Sequence, residues 1–449
     1  MSISSASLDD RLASILPRLQ NGVRDSVTRP VKGRVRRLLG VTVHASVPQV
    51  RLGEVCHLVD PITSQKVMAE VIGLADDLAV LTPIGDLTGL SSVSEVVPTG
   101  AELRVPVGTG LLGRVINALG EPLDGEPWPP REIEGLRPVM AEPVAPYARR
   151  LIDAPIQLGI RALDGLLTCA RGQRIGIFGE AGVGKSTLLA DIVRGTDADQ
   201  IVVALIGERG REVREFVERQ LGPDGRKRTV VVAATSDRPA MERVKAAHVA
   251  TTIAEFFRDR GGHVLLLMDS ITRFARAQRE IGLAAGEPAT RRGFPPSLFA
   301  ALPRLLERTG LTQHGSITAV YSILVEGEIS LDPVAEEVQA ILDGHVILSS
   351  ELARRNHFPA IDVLRSRSRL MDMVVPTEHR ADAARIRELL ARFSEVELLV
   401  RVGEYQRGTD AVADEAISKI DRINGFLRQA SSTRATVEET RRLMREIVL

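Results

Sequence analysis

The chain has 449 residues, 44% hydrophobic and 26% charged, which is enough apolar mass for about three packed domains. Lys plus Arg and Asp plus Glu both total 58, and aromatic residues make up only 3%. That balance argues against a nucleic-acid binder, which needs a broad basic surface or rings for stacking bases. Cys56 and Cys169 lie far apart without CxxC partners, and the histidines show no metal-ligand spacing. A disulfide framework or zinc site is therefore not expected, and a reducing cytosol suits the chain. Its longest apolar runs last five or six residues, far short of the roughly 20 that cross a bilayer. No signal-peptide core opens the chain, so a cytoplasmic location is expected.

In chain order, Leu8, Leu12, Ile15, Leu16 and Leu19 come first, at helical spacing, flanked by Arg11 and Arg18 and ended by Gly22 and Pro30. Residues 1–28 are read as an amphipathic oligomerisation segment. Such a helix docks on a partner or on its own domain, or lies on a membrane surface. Residues 29–100 change texture. Short alternating stretches at 41–43, 54–59, 66–71 and 78–81, punctuated by Gly, Pro and Asp, predict a small β-barrel or sandwich.

Residues 101–376 alternate buried-strand runs with helical patterns. The strand candidates are 174–178, 201–206, 229–233, 264–268 and 317–321, and Ala240 to Arg260 is a long helical pattern. This predicts an α/β domain with a parallel sheet covered on both faces. Residues 377–449 are read as a helical domain. Ile386, Leu389, Leu390, Phe393 and Val400 line one helix; Val412, Ala416, Ile420, Ile423 and Leu427 line another. A last helix is predicted to open at Thr436, with Glu439 completing a capping box.

The chemistry begins at Gly179-Glu-Ala-Gly-Val-Gly184-Lys185-Ser186-Thr187, a phosphate-loop pattern between an apolar strand and a helix-forming run. Glycines such as Gly179, Gly182 and Gly184 let the backbone N–H groups turn inward, with Val183 and Thr187 completing the segment. Lys185 would reach the β- and γ-phosphates of a nucleotide, and the Ser186 hydroxyl would bind Mg²⁺. The run Val264 to Met268 ends in Asp269, placed as the metal-shell acid, which would act on Mg²⁺ through water. Ile201 to Ile206 ends in Gly207-Glu208-Arg209. A carboxylate there can orient the attacking water, or can be a surface acid in a charged stretch.

Around these residues the sequence resembles the secretion ATPases related to the catalytic β subunit of rotary ATP synthase. The likeness rests on Asp269-Ser-Ile-Thr-Arg-Phe-Ala-Arg-Ala-Gln-Arg-Glu280, Gly293-Phe-Pro-Pro-Ser297, Gly315-Ser-Ile-Thr-Ala319 and the Leu112 to Gly125 and Leu342 to Val346 segments. Thr235 to Ala240, Val325-Glu-Gly327 and Glu404 to Asp410 are more similar to the non-flagellar type III secretion ATPases than to the flagellar ones.

The resemblance implies an N-terminal β-barrel, a RecA-like nucleotide domain and a C-terminal helical domain, assembled as a homohexamer. It implies Glu208 as catalytic glutamate, Arg209 as the arginine beside it, Arg369 as an arginine finger for a neighbour's γ-phosphate, and Phe358 as the ring against adenine. It also implies partners: stator and central-stalk proteins, an export gate and chaperone–effector complexes, at the inner-membrane face as a peripheral protein. Three departures stand out: Arg367 where the family is apolar, Glu328-Ile-Ser330 in place of an acidic pair, and Ser349-Ser350 in place of Ser-Arg. Competing readings are a flagellar export ATPase, a non-catalytic ring subunit, which Glu208 opposes, and an RNA translocase, which the composition opposes.

Overall fold

The computed structural model describes residues 31–449 apart from 76, 129–131 and 432, together with Leu16. The N-terminal amphipathic stripe thus lies outside the described residues except for Leu16, which is helical and half exposed. Among the described residues no helix is long and apolar enough to cross a membrane.

Six strands, β1 (Gly33–Leu39), β2 (Thr42–Ser46), β3 (Glu54–Val59), β4 (Lys66–Ala75), β5 (Leu78–Pro83) and β6 (Glu95–Glu102), close into a barrel in the order β1-β2-β5-β4-β3-β6. Every pairing is antiparallel. Inward positions such as Val43, Ala45, Cys56, Leu58, Ala69, Val71, Leu81 and Val96 fill its centre. The alternating pattern alone left barrel and sandwich open while the resemblance implied a barrel, and the closed strand order bears the barrel out. Strands β1 and β6 were not read from sequence. The first carries outward Arg34, Arg36 and Arg37, and the second is broken by Pro98 and Gly100.

Next come β7 (Arg104–Val107), β8 (Val115–Ile116) and β9 (Gly135–Pro138), and then the nucleotide-domain strands. These are β10 (Arg174–Gly179), β11 (Gln200–Ile206), β12 (Thr229–Ala234), β13 (His263–Asp269), β14 (Gly310–Leu311), β15 (Ser316–Leu324), β16 (Gly344–Leu348) and β17 (Ile361–Ser368). The large sheet runs β17-β16-β10-β15-β13-β11-β12-β8, with β14 beside β15. Its centre is parallel as expected, but β14 and β17 are antiparallel. The link from β16 to β17 holds only a one-turn helix, Ser350–Arg354, too short to carry the chain back along the sheet.

Major helices are α1 (Lys185–Gly195), α2 (Ala240–Asp259), α3 (Ile271–Ala284), α4 (Pro296–Leu306) and α5 (Pro333–Ile341) around the sheet. The C-terminal domain holds α6 (Thr377–Arg401), α7 (Ala411–Leu427) and α8 (Val437–Val448). Side-chain caps start several of them. Asp332 accepts from Val334 and Ala335, and Asp410 from Val412 and Ala413, in each case within 3.0 Å. Thr436 accepts from the Glu439 amide at 3.1 Å, one half of the expected capping box.

Period-two alternation sends the sheet's side chains into two cores. Along β11, Val202, Ala204 and Ile206 enter one core and Ile201, Val203 and Leu205 the other. Each such side chain contributes roughly 1.5–3 kcal/mol of gross burial. The first core, under α2 to α5, also takes in Val55 and Ile84 of the barrel. The second, under α1, takes in Ile386, Leu389, Ile423, Phe426 and Met444 of the helical domain. Both end domains are thus extensions of the sheet's own interior.

Candidate nucleotide site

The loop after β10 turns through Gly182 (φ 83°) and Gly184 (φ 92°, ψ 19°), both in the left-handed region, where a side chain is strained. Gly184 caps α1, so the helix's free amides and positive end face the loop. Lys185, Ser186 and Thr187 form its first turn, and the Lys185 ammonium lies 3.5 Å from the Gly179 carbonyl. Burial lowers the Lys185 pKa, while Asp269 and Glu208 act against that shift. A half-dehydrated ammonium beside free amides is a receptor for phosphate.

The adjacent parallel strands bring two carboxylates to the same end of the sheet. Asp269 closes β13 and is 5% exposed; burial raises its pKa, opposed by Ser322, Lys185 and Arg273. Glu208 follows β11 and is pushed up to about 7, first by burial and then by the charge of Asp269. Ser186, Glu208, Glu212 and Asp269 share one cavity of ≈ 160 Å³. No cluster of three or more His, Cys, Asp or Glu among the described residues could hold a metal by itself. A hydroxyl beside a buried carboxylate nevertheless fits Mg²⁺, which takes most of its ligands from phosphate oxygens and water.

A second cavity, ≈ 340 Å³, opens on the other side of the loop, lined by Val183, Gly184, Thr187, Leu348, Phe358 and Gln429 among others. The Phe358 ring is 42% exposed, and a Cβ built on Gly184 would lie 3.6 Å from it. This slot adjoins the phosphate loop and has one aromatic wall.

Arg209 and Arg369 line neither cavity of their own chain; for Arg369 a neighbour's site was the expectation. Arg209 caps a short helix, Gly210–Glu215, in extended backbone, and this sends its side chain outward; it is 78% exposed and paired with Glu212 at 3.5 Å. Arg369 lies at the opposite end of the sheet. Its amide donates to the Asp343 carbonyl (3.0 Å), and the Asp343 amide donates to the Arg174 carbonyl (2.9 Å), at the start of β10. The loop begins at the far end of that strand, roughly 17 Å away at a strand's rise per residue. Arg369 is exposed, and no ion pair is made by it or by Arg367 among the described residues.

Other residues at the site were missed from sequence. Arg273, on the first turn of α3, bears on Lys185, Glu208 and Asp269 together. Gly207 (φ 69°) makes room for its stem; a Cβ there would come within 3.1 Å. Its place four residues after Asp269 was the available signal. Glu212 and the 429–431 segment carried no signal, because only folding brings them to the cavities.

A model of the ATP synthase alpha/beta family nucleotide-binding domain matches residues 159–368, and that family's beta-barrel domain matches 35–100. With the phosphate loop and its carboxylates, these define the class: a P-loop ATPase of the ATP synthase alpha/beta type. The T3SS EscN ATPase C-terminal domain model matches 375–446. A type 3 secretion system ATPase from Sinorhizobium fredii is 56% identical over 92% of this chain and 91% of its own. A flagellum-specific ATP synthase from Bacillus subtilis is 48% identical over 91% and 93%. The assembled ATPase EscN from the enteropathogenic E. coli type III secretion system is 47% identical, with a TM-score of 0.88 over 93% of this chain and 100% of that one. EscN in complex with its central stalk EscO gives 0.85 at 46% identity, with the same coverage. The chain belongs to the type III secretion system ATPases.

Proposed function

We propose that this chain hydrolyses ATP as a homohexameric ring, with each site shared between neighbours, and so releases and unfolds chaperone-bound substrates for type III secretion. One observation carries the shared-site reading: Arg369 is a strand's length from its own loop, exposed and without an ion-pair partner among the described residues.

In this reading the loop amides and Lys185 hold the β- and γ-phosphates, and the 358 ring stacks on adenine. Ser186, and Asp269 through water, hold Mg²⁺, which when bound neutralises charge on the phosphate oxygens. Glu208 orients the attacking water on the side away from the leaving group. Arg369 of a neighbour places its planar guanidinium against the γ-phosphoryl oxygens, where charge is spread in the transition state. Arg209 takes no part in the conformation described.

EscN is known assembled and in complex with a central stalk. By analogy this chain meets a stalk protein, a stator and the export gate as a peripheral protein at the cytoplasmic face of the inner membrane. The helical domain is the surface offered to chaperone–effector complexes.

Mixed rings test the shared site. Lys185→Ala and Arg369→Ala proteins are each expected to lose about 10³-fold or more in turnover. Combined, they should regain activity at interfaces where a sound loop meets a sound arginine. Mixed assembly verified by mass, with no recovery, would overturn the in-trans assignment.

A further inference from the structure

The slot beside the loop has a polar end that stacking alone leaves unused. Asp191 stands one turn beyond Thr187 on α1, lines this cavity, and is 13% exposed at its side chain. Its Oδ1 accepts from the Ser431 hydroxyl at 2.7 Å and pairs with Arg194. Its Oδ2 accepts no hydrogen bond among the described residues. That second oxygen is not sealed from the cavity and stays open to a ligand's donor.

The neighbouring amide cannot play that part. Gln429 gives its Nε2 to the Gly159 and Thr433 carbonyls (2.8 and 2.9 Å), and its Oε1 accepts from the Arg161 amide (2.9 Å). Its hydrogen bonds are made inside the protein. Asp191, with the smaller hydroxyls of Thr187 and Ser431, lines the cavity beside Phe358, where the edge of a stacked base would lie, and is its one charged group among the described residues.

Purines differ at that edge. Adenine carries an exocyclic amino group at its six position, a donor, whereas hypoxanthine and guanine carry a carbonyl, an acceptor. We propose that Asp191 reads the six position of the bound purine, accepting a hydrogen from adenine through Oδ2 and repelling the oxygen of 6-oxo purines. This rests on the reading that the slot beside Phe358 takes the base. A site built around one charged hydrogen bond should favour ATP over ITP by about 10- to 100-fold in kcat/KM.

The experiment compares kcat/KM for magnesium ATP, ITP and GTP in the full chain at ring-forming concentration. Asp191→Asn, whose amide can turn a donor toward the oxo group, should shrink the ATP-to-ITP ratio to within about threefold. Asp191→Ser should do likewise, and serves if the Asn form does not fold. Ser431→Ala removes the hydroxyl's hydrogen bond to Asp191 but keeps the carboxylate, so it should preserve the ratio.

An unchanged ratio in both Asp191 variants overturns the proposal. So does an equal collapse in Ser431→Ala, which would mean that Asp191 only positions the 429–431 segment. Phe358→Ala separates the two layers of the argument. If it leaves KM for every nucleotide alone, the base-slot reading falls and this one with it. If it raises KM for all of them while the Asp191 variants keep their ratio, only the role of Asp191 falls.

Discussion

The barrel and the helical domain are both seated on the same sheet, one on each face, yet their joints differ in kind. The barrel joint is apolar, through Val55 and Ile84, and is locked by an ion pair between Glu70 of β4 and Lys245 of α2. Their side chains are 11% and 3% exposed, and none of these residues lines a nucleotide cavity. The helical-domain joint is apolar too, but its polar part passes over the base slot. The Gln429 amide donates to the Phe358 carbonyl at 2.9 Å, and Arg194 donates to the Ser431 carbonyl at 2.9 Å. One end domain is thus fastened independently of nucleotide, and the other through the walls of the pocket. A displacement of the helical domain has a route to the base slot that the barrel lacks.

The largest effect should come from the barrel joint. Lys245→Ala or Glu70→Ala leaves a buried charge unpaired, at a cost of about 3–5 kcal/mol in unfolding free energy by denaturant titration. Lys245→Met with Glu70→Leu should recover most of it. Loss of ATP affinity in these variants, once folded, would break the contrast between the joints. Gly165→Ala attacks the other joint. The new Cβ would sit 2.7 Å from the Met444 sulfur and 3.0 Å from a Thr440 methyl, and overpacking should cost about 1–3 kcal/mol in thermal unfolding.

Ser431→Ala should cost at most about 1 kcal/mol of stability. Its larger signature is a KM for ATP raised about threefold, since the segment over the slot loosens. A KM that stays put would say that this segment is not felt at the site.

A further test is a pH dependence. Asp164 is buried in the 162–166 turn and pushed up to about 7 by burial, against backbone donors Leu158 and Gly159 at 2.8 and 2.7 Å. A raised carboxyl pKa means that the folded state keeps its proton longer than the unfolded chain. The stability it supports is full below pH ~4 and is lost as pH rises through about 7. The stability difference between the parent chain and Asp164→Asn should therefore shrink between those limits. A difference that grows across that range would reverse the assignment.

The strands at 201–206, 229–233 and 264–268 were legible because both their faces are buried, which writes them as unbroken apolar runs. The phosphate loop was legible because it is local: glycines, a lysine and a hydroxyl within one turn. Strand β17 was not, since its outer half is exposed at the sheet's edge and reads as a polar Arg-Ser-Arg-Ser stretch. Asp191 and Ser431 meet across 240 positions of chain, a distance no motif spans. Arg209 shows the opposite limit. The motif puts it next to Glu208, but it caps the following helix and is exposed, reaching the cavity only through Glu212.

Arg369 lies a strand's length from its own loop, so on the proposed shared site an isolated copy would hold a loop and an arginine that serve different sites. With sites completed by neighbours, turnover climbs faster than linearly with protein concentration until rings saturate. Copies too dilute to form rings would then idle.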